Sequence, residues 1–250
     1  MASLRSRLKF LNPARNRIEL ACDDLLQLSP ALHSTFHSRH GRGTGIDAQT
    51  KVVIEGYQSA ANSFAREAFR AVNPDVGIAS HMHCVAPLVL ARQRGIPALV
   101  LLREPVSSIT SLIARFDRPD FSSELSRYTR FYRQLAGVRD YVLFATFEEA
   151  TSNFGLVIEQ LNRRFGSSFV LYRDNDAELA ARVRHVIDSY TETVFGDRAE
   201  GRKAMPSQAR AAKAEALRTA LLAPEFAGRV SRARGLFDTA MEWKLQQVVR

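Results

Sequence analysis

Two histidines that lie two residues apart could act as proton acceptors. His81 and His83 occur in the segment ASHMHC, at the end of the apolar run DVGIAS of residues 75–80. A histidine side chain can be neutral near pH 7 and then accepts a proton. In an extended segment both side chains would point to the same side. His81 is our candidate for a general base and His83 is its rival. The alternative for each is a polar residue at a strand end with no catalytic role.

The stretch GYQSAANS (56–63) has the length of the phosphate-binding loop G-x-x-x-x-G-K-[ST]. Ala61 stands in the position of the second glycine, and Asn62 in that of the lysine. A loop that leads from a buried strand into a helix directs backbone N–H groups and the positive helix end toward one point, which favours an anion. Ser59, Asn62 and Ser63 could add side-chain donors. The alternative is an ordinary turn in which Asn or Ser caps the helix.

Arg103 and Ser111 form a second candidate site for an anion. Arg103 ends the apolar run PALVLLR, and a helical pattern begins at Pro105, a position that proline favours. Arg103 and Ser111 could face one anion, with charge-assisted hydrogen bonds worth roughly 1.5–3 kcal/mol each. The alternative is an arginine paired with a carboxylate, beside a serine-rich helix face.

The elements that must position these residues alternate between strands and helices. The predicted strands are KVVIEG (51–56), DVGIAS (75–80), PALVLLR (97–103) and DYVLFATF (140–147). They are short, and most lack alternation, as strands buried on both faces do. The predicted helices lie at about 62–72, 85–94, 105–116, 123–137 and 152–166. The order indicates an α/β fold with a parallel sheet flanked by helices, whose carboxyl edge holds the candidate residues.

The two ends of the chain lack this alternation. Residues 1–49 are interpreted as an N-terminal extension, partly irregular, and residues 50–250 as a single α/β domain. From about residue 175 the domain is predicted to be helical only. The helices are expected at 176–195, about 207–222 and 228–247, with a polar, basic linker at 196–208.

The composition limits the partners and the compartment. A net charge of +9 favours an anionic partner, such as a nucleotide, a sulfated or phosphorylated glycan, nucleic acid or a lipid surface. No nucleic-acid-binding motif is recognised, so nucleic acid is not expected. The only two cysteines, Cys22 and Cys84, suggest neither a metal site nor a disulfide framework, which favours the cytoplasm. Peripheral membrane contact through the basic N-terminus stays open, as does the oligomeric state.

Residues 51–166 resemble the sulfotransferases that use 3′-phosphoadenylyl sulfate (PAPS), and most of all their bacterial members with short loops. The segment GYQSAANSF is similar to the family's phosphosulfate loop, G-x-P-[RK]-S-[GA]-[TN]-[TS]-[WF]. The family's 3′-phosphate segment, R-[DNE]-P-x-x-x-x-x-S-x-x-x-x-F, is matched by Arg103, Glu104, Pro105, Ser111 and Phe116. His81 precedes Arg103 by 22 residues, as the catalytic histidine does in many cytosolic members. Residues 141–166 are similar to the family's strand, [YF]-E-[DE]-L motif and following helix.

The resemblance implies a P-loop-like sulfotransferase fold, with PAPS as the sulfuryl donor and no metal. The acceptor would be a hydroxyl or amine of a glycan, glycolipid or small metabolite, attacked in line. The residues that would hold the 5′-phosphosulfate are Gly56, Ser59, Ala60, Ala61, Asn62 and Ser63. Arg103 and Ser111 would hold the 3′-phosphate, and His81 or His83 would take the acceptor proton.

The loop departs from the family pattern at two positions. Ser59 replaces an arginine or lysine, and Gln58 replaces a proline. The family's basic side chain touches the bridging oxygen and the 5′-phosphate, and loss of a comparable donor costs roughly 10²–10³ in rate. Arg66, Arg202 and Lys203 are candidates to replace it, the last two in a basic segment that would close over the nucleotide.

Two other functions are therefore alternatives to the sulfotransferase. A non-catalytic relative that binds PAPS, its product adenosine 3′,5′-bisphosphate (PAP) or a sulfoglycan would explain Ser59. A small P-loop kinase is disfavoured, because Asn62 stands in the lysine position.

Overall fold

A computed structural model describes residues 45–116, 120–196 and 208–248 of the chain. Within these ranges, parallel strands form one four-stranded sheet in the order β2-β1-β3-β4. The strands are β1 (Thr50–Gly56), β2 (Gly77–Ser80), β3 (Ala98–Leu102) and β4 (Leu143–Thr146). The predicted α/β fold with a parallel sheet is confirmed. Residues 1–44, most of the predicted N-terminal extension, lie outside the described residues, and the division into extension and domain stays a prediction.

Helices connect and cover the strands. They are α1 (Asn62–Val72), α2 (Ala86–Arg94), α3 (Pro105–Phe116), α4 (Phe121–Leu135), α5 (Phe147–Ser152), α6 (Phe154–Phe165), α7 (Ala177–Phe195), α8 (Gln208–Leu221) and α9 (Ala227–Val248). A 3₁₀ turn, Pro224–Phe226, precedes α9. Helices α1 and α3 begin and end where the apolar periodicity predicts. No described helix combines the length and the apolar character that crossing a bilayer requires.

The predicted bounds of the last strand are wrong. The predicted strand 140–147 is shortened to Leu143–Thr146, because residues 140–142 form a turn and the short helix α5 begins at Phe147. The Thr146 hydroxyl accepts the backbone N–H of Glu149, and the Glu149 carboxylate accepts that of Thr146, which makes a capping box. A helix of six residues is too short to show a helical period.

The core fills both faces of the sheet. Val53, Val100 and Phe144 point to one face and pack with α2, α3, α4 and α9, while Ile54 and Leu101 point to the other and pack with α1, α6 and α7. All five of these side chains are at most 1% exposed. Because both faces are covered, the strands consist almost entirely of apolar residues, which is the pattern that predicted a parallel sheet.

The strand order brings the candidate site together. Strand β1 lies between β2 and β3, and all three run in the same direction, so their carboxyl ends share one edge of the sheet. The loop after β1, the histidines after β2 and Arg103 after β3 are therefore neighbours.

Candidate functional site

The loop of residues 57–61 connects β1 to α1 and is held in a conformation that non-glycine residues rarely adopt. Ser59 has a φ of 62° and Ala61 a φ of 70°. Such conformations cost about 1–3 kcal/mol each and persist only where the surroundings impose them. Here Arg103 Nη1 donates to the Ser59 carbonyl at 2.5 Å, and Ser108 Oγ donates to the Gln58 carbonyl at 2.7 Å. The end of β3 and helix α3 therefore set the shape of the loop.

The loop is also tied to α4 through its first residue. The Tyr57 hydroxyl donates to Glu124 Oε2 at 2.8 Å, and both side chains are buried. The Tyr57 ring packs edge-on against Tyr128, with 5.0 Å between ring centroids. Tyr57 thus points away from the loop and into the core.

Helix α1 begins without a side-chain cap. Ala61 occupies the cap position, no side chain accepts a hydrogen bond from the first turn, and that turn contains no acidic residue. The turn with an Asn or Ser cap, which the sequence left open, is therefore not formed. The first N–H groups of a helix have no acceptor within the helix, and they lie at the positive end of its dipole. This end of α1 is suited to an anion.

Gly56 and Asn62 shape the loop from the inside. The Asn62 side chain is 4% exposed and donates through Nδ2 to the carbonyls of Tyr57 at 3.0 Å and Gly56 at 3.4 Å. A Cβ at Gly56 would lie 2.8 Å from the Leu101 carbonyl oxygen, so a larger residue would not fit. Ala60 is fully buried. These residues support the loop from within, and Asn62 uses its donors on loop carbonyls.

His81 contacts the loop directly. Its Nε2 lies 3.1 Å from the Ser63 hydroxyl in the first turn of α1, and its Nδ1 lies 3.1 Å from the Ser80 hydroxyl. Burial lowers the pKa of His81 well below its usual value, and the nearby His83 and Arg66 lower it further. The ring is therefore neutral at pH 7, as the predicted role of a base requires.

His83 lies beside His81, with 5.6 Å between ring centroids. The segment is not extended, because His81 has a φ of 64° and His83 a φ of 53°, so the extended geometry that would place both side chains on one side is not formed. The Nδ1 of His83 lies 3.0 Å from the Gly56 carbonyl oxygen, which can only accept, so Nδ1 carries the hydrogen. Burial lowers the pKa of His83, while the hydrogen bond to Gly56 opposes the shift.

Glu55 is a residue of this site that was not predicted from the sequence. It lies on β1 and is fully buried, and its carboxylate accepts the backbone N–H of Met82 at 2.9 Å and of His83 at 3.0 Å. Burial raises the pKa of Glu55 to about 8, and the two hydrogen bonds oppose the shift. The available signal was a charged residue inside the apolar run KVVIEG.

Arg103 is fixed at both its backbone and its side chain. Its backbone N–H donates to the Tyr132 hydroxyl at 3.0 Å, and its carbonyl accepts the Tyr128 hydroxyl at 2.7 Å. The guanidinium stacks on Phe147, 4.0 Å from the ring centroid, while Nη1 reaches the Ser59 carbonyl. Burial lowers the pKa of Arg103 and Glu148 opposes this, so the group keeps its positive charge at neutral pH.

The remaining predicted residues are less closely connected to this cluster. Ser111 is half-buried on α3, and no hydrogen bond joins it to Arg103 within the described residues. Arg66 Nε binds Glu67 Oε1 at 2.6 Å, and its guanidinium lies 5.9 Å from the Tyr190 ring centroid. Arg202 and Lys203 lie outside the described residues.

Comparison of the chain with protein-family models, curated proteins and solved structures finds no match.

Proposed function

We propose that the protein is a PAPS-dependent sulfotransferase that acts on a hydroxyl or amine of a glycan, glycolipid or small metabolite. The observation that supports this proposal is the meeting of three groups at one sheet edge. The uncapped N-terminus of α1 favours an anion, Arg103 brings a positive charge onto the same loop, and His81 contacts Ser63 in the first turn of α1. Sulfuryl transfer needs an anion site and a neutral base at the acceptor, and His81 and the adjoining His83 are the two candidates for that base.

In this proposal, different residues bind the 5′-phosphosulfate and the 3′-phosphate of PAPS. The backbone N–H groups of the first turn, with the Ser63 hydroxyl, would receive the 5′-phosphosulfate. Arg103 uses Nη1 on the Ser59 carbonyl, and its other N–H groups remain donors for a phosphate. In this proposal Ser111 approaches the 3′-phosphate from α3. Gly56, Ala60 and Asn62 maintain the loop conformation.

The contact between Arg103 and Ser59 also bears on the missing basic residue. The loop has a serine at the position where the family pattern has arginine or lysine, and the Arg103 guanidinium lies against the carbonyl of that serine. A positive charge is therefore present at this point of the loop, supplied by the neighbouring strand. Arg66 is a weaker replacement because it is paired with the buried Glu67. This arrangement favours the enzyme over the non-catalytic relative.

Calorimetric titration of the full chain with PAP and, separately, with ATP tests the proposal. Micromolar binding of PAP without binding of ATP would support it. Equal binding of the two nucleotides, or no binding of either, would refute it, and ATP binding alone would favour the kinase.

Transfer of labelled sulfate from PAPS to a panel of glycans, glycolipids and hydroxylated metabolites then separates the enzyme from the non-catalytic relative. Sulfated product that depends on Arg103 supports the enzyme. PAP binding without product on any acceptor class supports the non-catalytic relative.

A further inference from the structure

The ring nitrogens of the two histidines are used differently. Both nitrogens of His81 lie within hydrogen-bond distance of serine hydroxyls, on Ser63 and Ser80. His83 uses Nδ1 on the Gly56 carbonyl, and no described residue forms a hydrogen bond with its Nε2. One histidine is therefore engaged at both ends of its ring, while the other has a nitrogen available to a substrate.

We propose that His83 Nε2 takes the proton of the acceptor and that Glu55 is the residue that positions His83. This inference rests on the proposed function. In the step, the acceptor O–H bond breaks and its proton moves to Nε2, while the acceptor oxygen forms a bond to sulfur. The bond from sulfur to the bridging oxygen of PAPS breaks, and its electron pair leaves with PAP.

The tautomer of His83 supports its role as the base. A backbone carbonyl cannot donate, so the hydrogen in the contact to Gly56 belongs to Nδ1. In a neutral imidazole the other nitrogen, Nε2, then carries the lone pair. His83 is half-buried at the carboxyl edge of the sheet and adjoins His81, which contacts the first turn of α1. The hydrogen bond that Nδ1 donates to Gly56 of the neighbouring strand therefore determines that the lone pair lies on Nε2.

Glu55 holds the backbone of His83. Its two carboxylate oxygens accept the successive N–H groups of Met82 and His83, across 27 and 28 positions of the sequence. Successive N–H groups beside residues with positive φ form a concave site for an acceptor, and in this protein the buried carboxyl group of Glu55 on β1 occupies it. The next residue of β1, Gly56, supplies the acceptor for the His83 ring. Backbone and ring are therefore both fixed by the end of β1.

His81 has a positioning role in this arrangement. Its ring joins Ser80 on β2 to Ser63 on α1, and this orients the Ser63 hydroxyl at the anion end of the helix. Loss of His81 is therefore expected to weaken PAP binding, whereas loss of His83 is expected to lower kcat and leave PAP binding unchanged.

Nitrogen-15 NMR of the full chain labelled at histidine tests the geometry without any need for turnover. At pH 7.5 we expect the resonances that disappear in His83→Gln to report Nδ1–H with an unprotonated Nε2. An Nε2–H tautomer of His83 would overturn the proposal. Because removal of a buried carboxylate can unfold a protein, this measurement uses the wild-type chain.

Kinetics with PAPS and an accepted substrate test the roles. We expect His83→Ala to lower kcat on the order of 10²–10⁴-fold with an unchanged Kd for PAP, and added imidazole to restore part of the rate. In Glu55→Gln one of the two backbone N–H groups faces the side-chain NH2 group, which cannot accept its hydrogen bond. We expect this variant to lower kcat by about 10²-fold, while the KM for PAPS changes little. A His83→Ala enzyme within threefold of the wild-type kcat would overturn the proposal.

Asp174→Asn is the matched control for Glu55→Gln. The Asp174 carboxylate also accepts two successive backbone N–H groups, those of Phe154 at 2.7 Å and Gly155 at 2.9 Å, but it lies outside the site. Asp174→Asn is expected to keep the wild-type kcat. An equal loss of kcat in both variants would refute a specific role for Glu55. A wild-type chain that binds no PAP contradicts the proposed function itself, while the tautomer still decides whether His83 is arranged as described.

Discussion

The guanidinium of Arg103 donates a hydrogen bond to the backbone carbonyl of Ser59, from the end of one strand to the loop that follows its neighbour. The contact joins residues 44 positions apart, and it helps to hold Ser59 in its left-handed conformation. The same guanidinium is stacked on Phe147. Arg103 therefore supports the loop and supplies its positive charge.

Substitution of Arg103 is expected to weaken nucleotide binding strongly. Loss of one or two charge-assisted hydrogen bonds, worth about 1.5–3 kcal/mol each, lowers affinity for PAP by at least about tenfold in Arg103→Ala. Arg103→Lys keeps the charge but cannot bind the loop carbonyl and a phosphate in the same geometry, so we expect an intermediate loss. Calorimetric titration measures both. Arg163→Ala, at an exposed arginine on α6, is the control, and equal affinity of all three variants would contradict the assignment.

Replacement of Ala61 by glycine is expected to stabilise the protein. Ala61 has a φ of 70°, a conformation that costs an L-residue about 1–2 kcal/mol and glycine little. Ala61→Gly should therefore raise the free energy of unfolding, measured by urea denaturation, by about 1 kcal/mol. Ala65→Gly, in the interior of α1, should lower it by at least 0.5–1 kcal/mol, roughly the helix cost of glycine. A decrease in both variants would mean that Ala61 is not strained.

The buried Glu55 should make stability fall as the pH rises. Its pKa is raised to about 8, so between the unfolded value of about 4.5 and pH 8 the folded chain binds more protons than the unfolded chain. The free energy of unfolding then decreases with pH in this window, by up to about 1.4 kcal/mol per pH unit.

Urea denaturation of the wild type and of Glu55→Gln between pH 5 and pH 8 isolates this contribution, since the other titrating groups are common to both. The wild type should lose stability relative to the variant as the pH rises. Parallel curves would show that the pKa of Glu55 is the same in the folded and unfolded chains.

The lowered pKa of His81 should make the free energy of unfolding decrease as the pH falls. Its folded pKa lies well below the unfolded value of about 6.5, so below that value the unfolded chain binds more protons. The stability that the neutral ring contributes is therefore lost as the pH falls from about 6.5. His81→Asn should lose less stability than the wild type between pH 6.5 and pH 5. Equal losses of stability in the wild type and in His81→Asn over this range would contradict the prediction.

Much of the fold could be predicted from the sequence because it depends on local patterns. Strands that are buried on both faces consist of apolar runs, and these runs identified the strands in the sequence. The spacing of apolar residues predicted the observed first and last residues of α1 and α3. The groups that complete the site could not be predicted in this way, because they depend on contacts between residues far apart in the sequence. Glu55 meets Met82 across 27 positions and Ser108 meets Gln58 across 50, and such long-range pairs leave no period or motif in the sequence. Helix α5 was missed because it is too short to show a period.

The anchoring of Tyr57 on α4 has a consequence for the order in which the chain folds. The contact between Tyr57 and Glu124 closes a segment of 67 residues, and that between Tyr128 and Arg103 closes one of 25. Closure of such segments comes after local helix formation in folding. During synthesis, the loop can therefore take up its final shape only once α4 has left the ribosome and packed on the sheet. Until then the nascent chain lacks the loop conformation on which the proposed anion site depends.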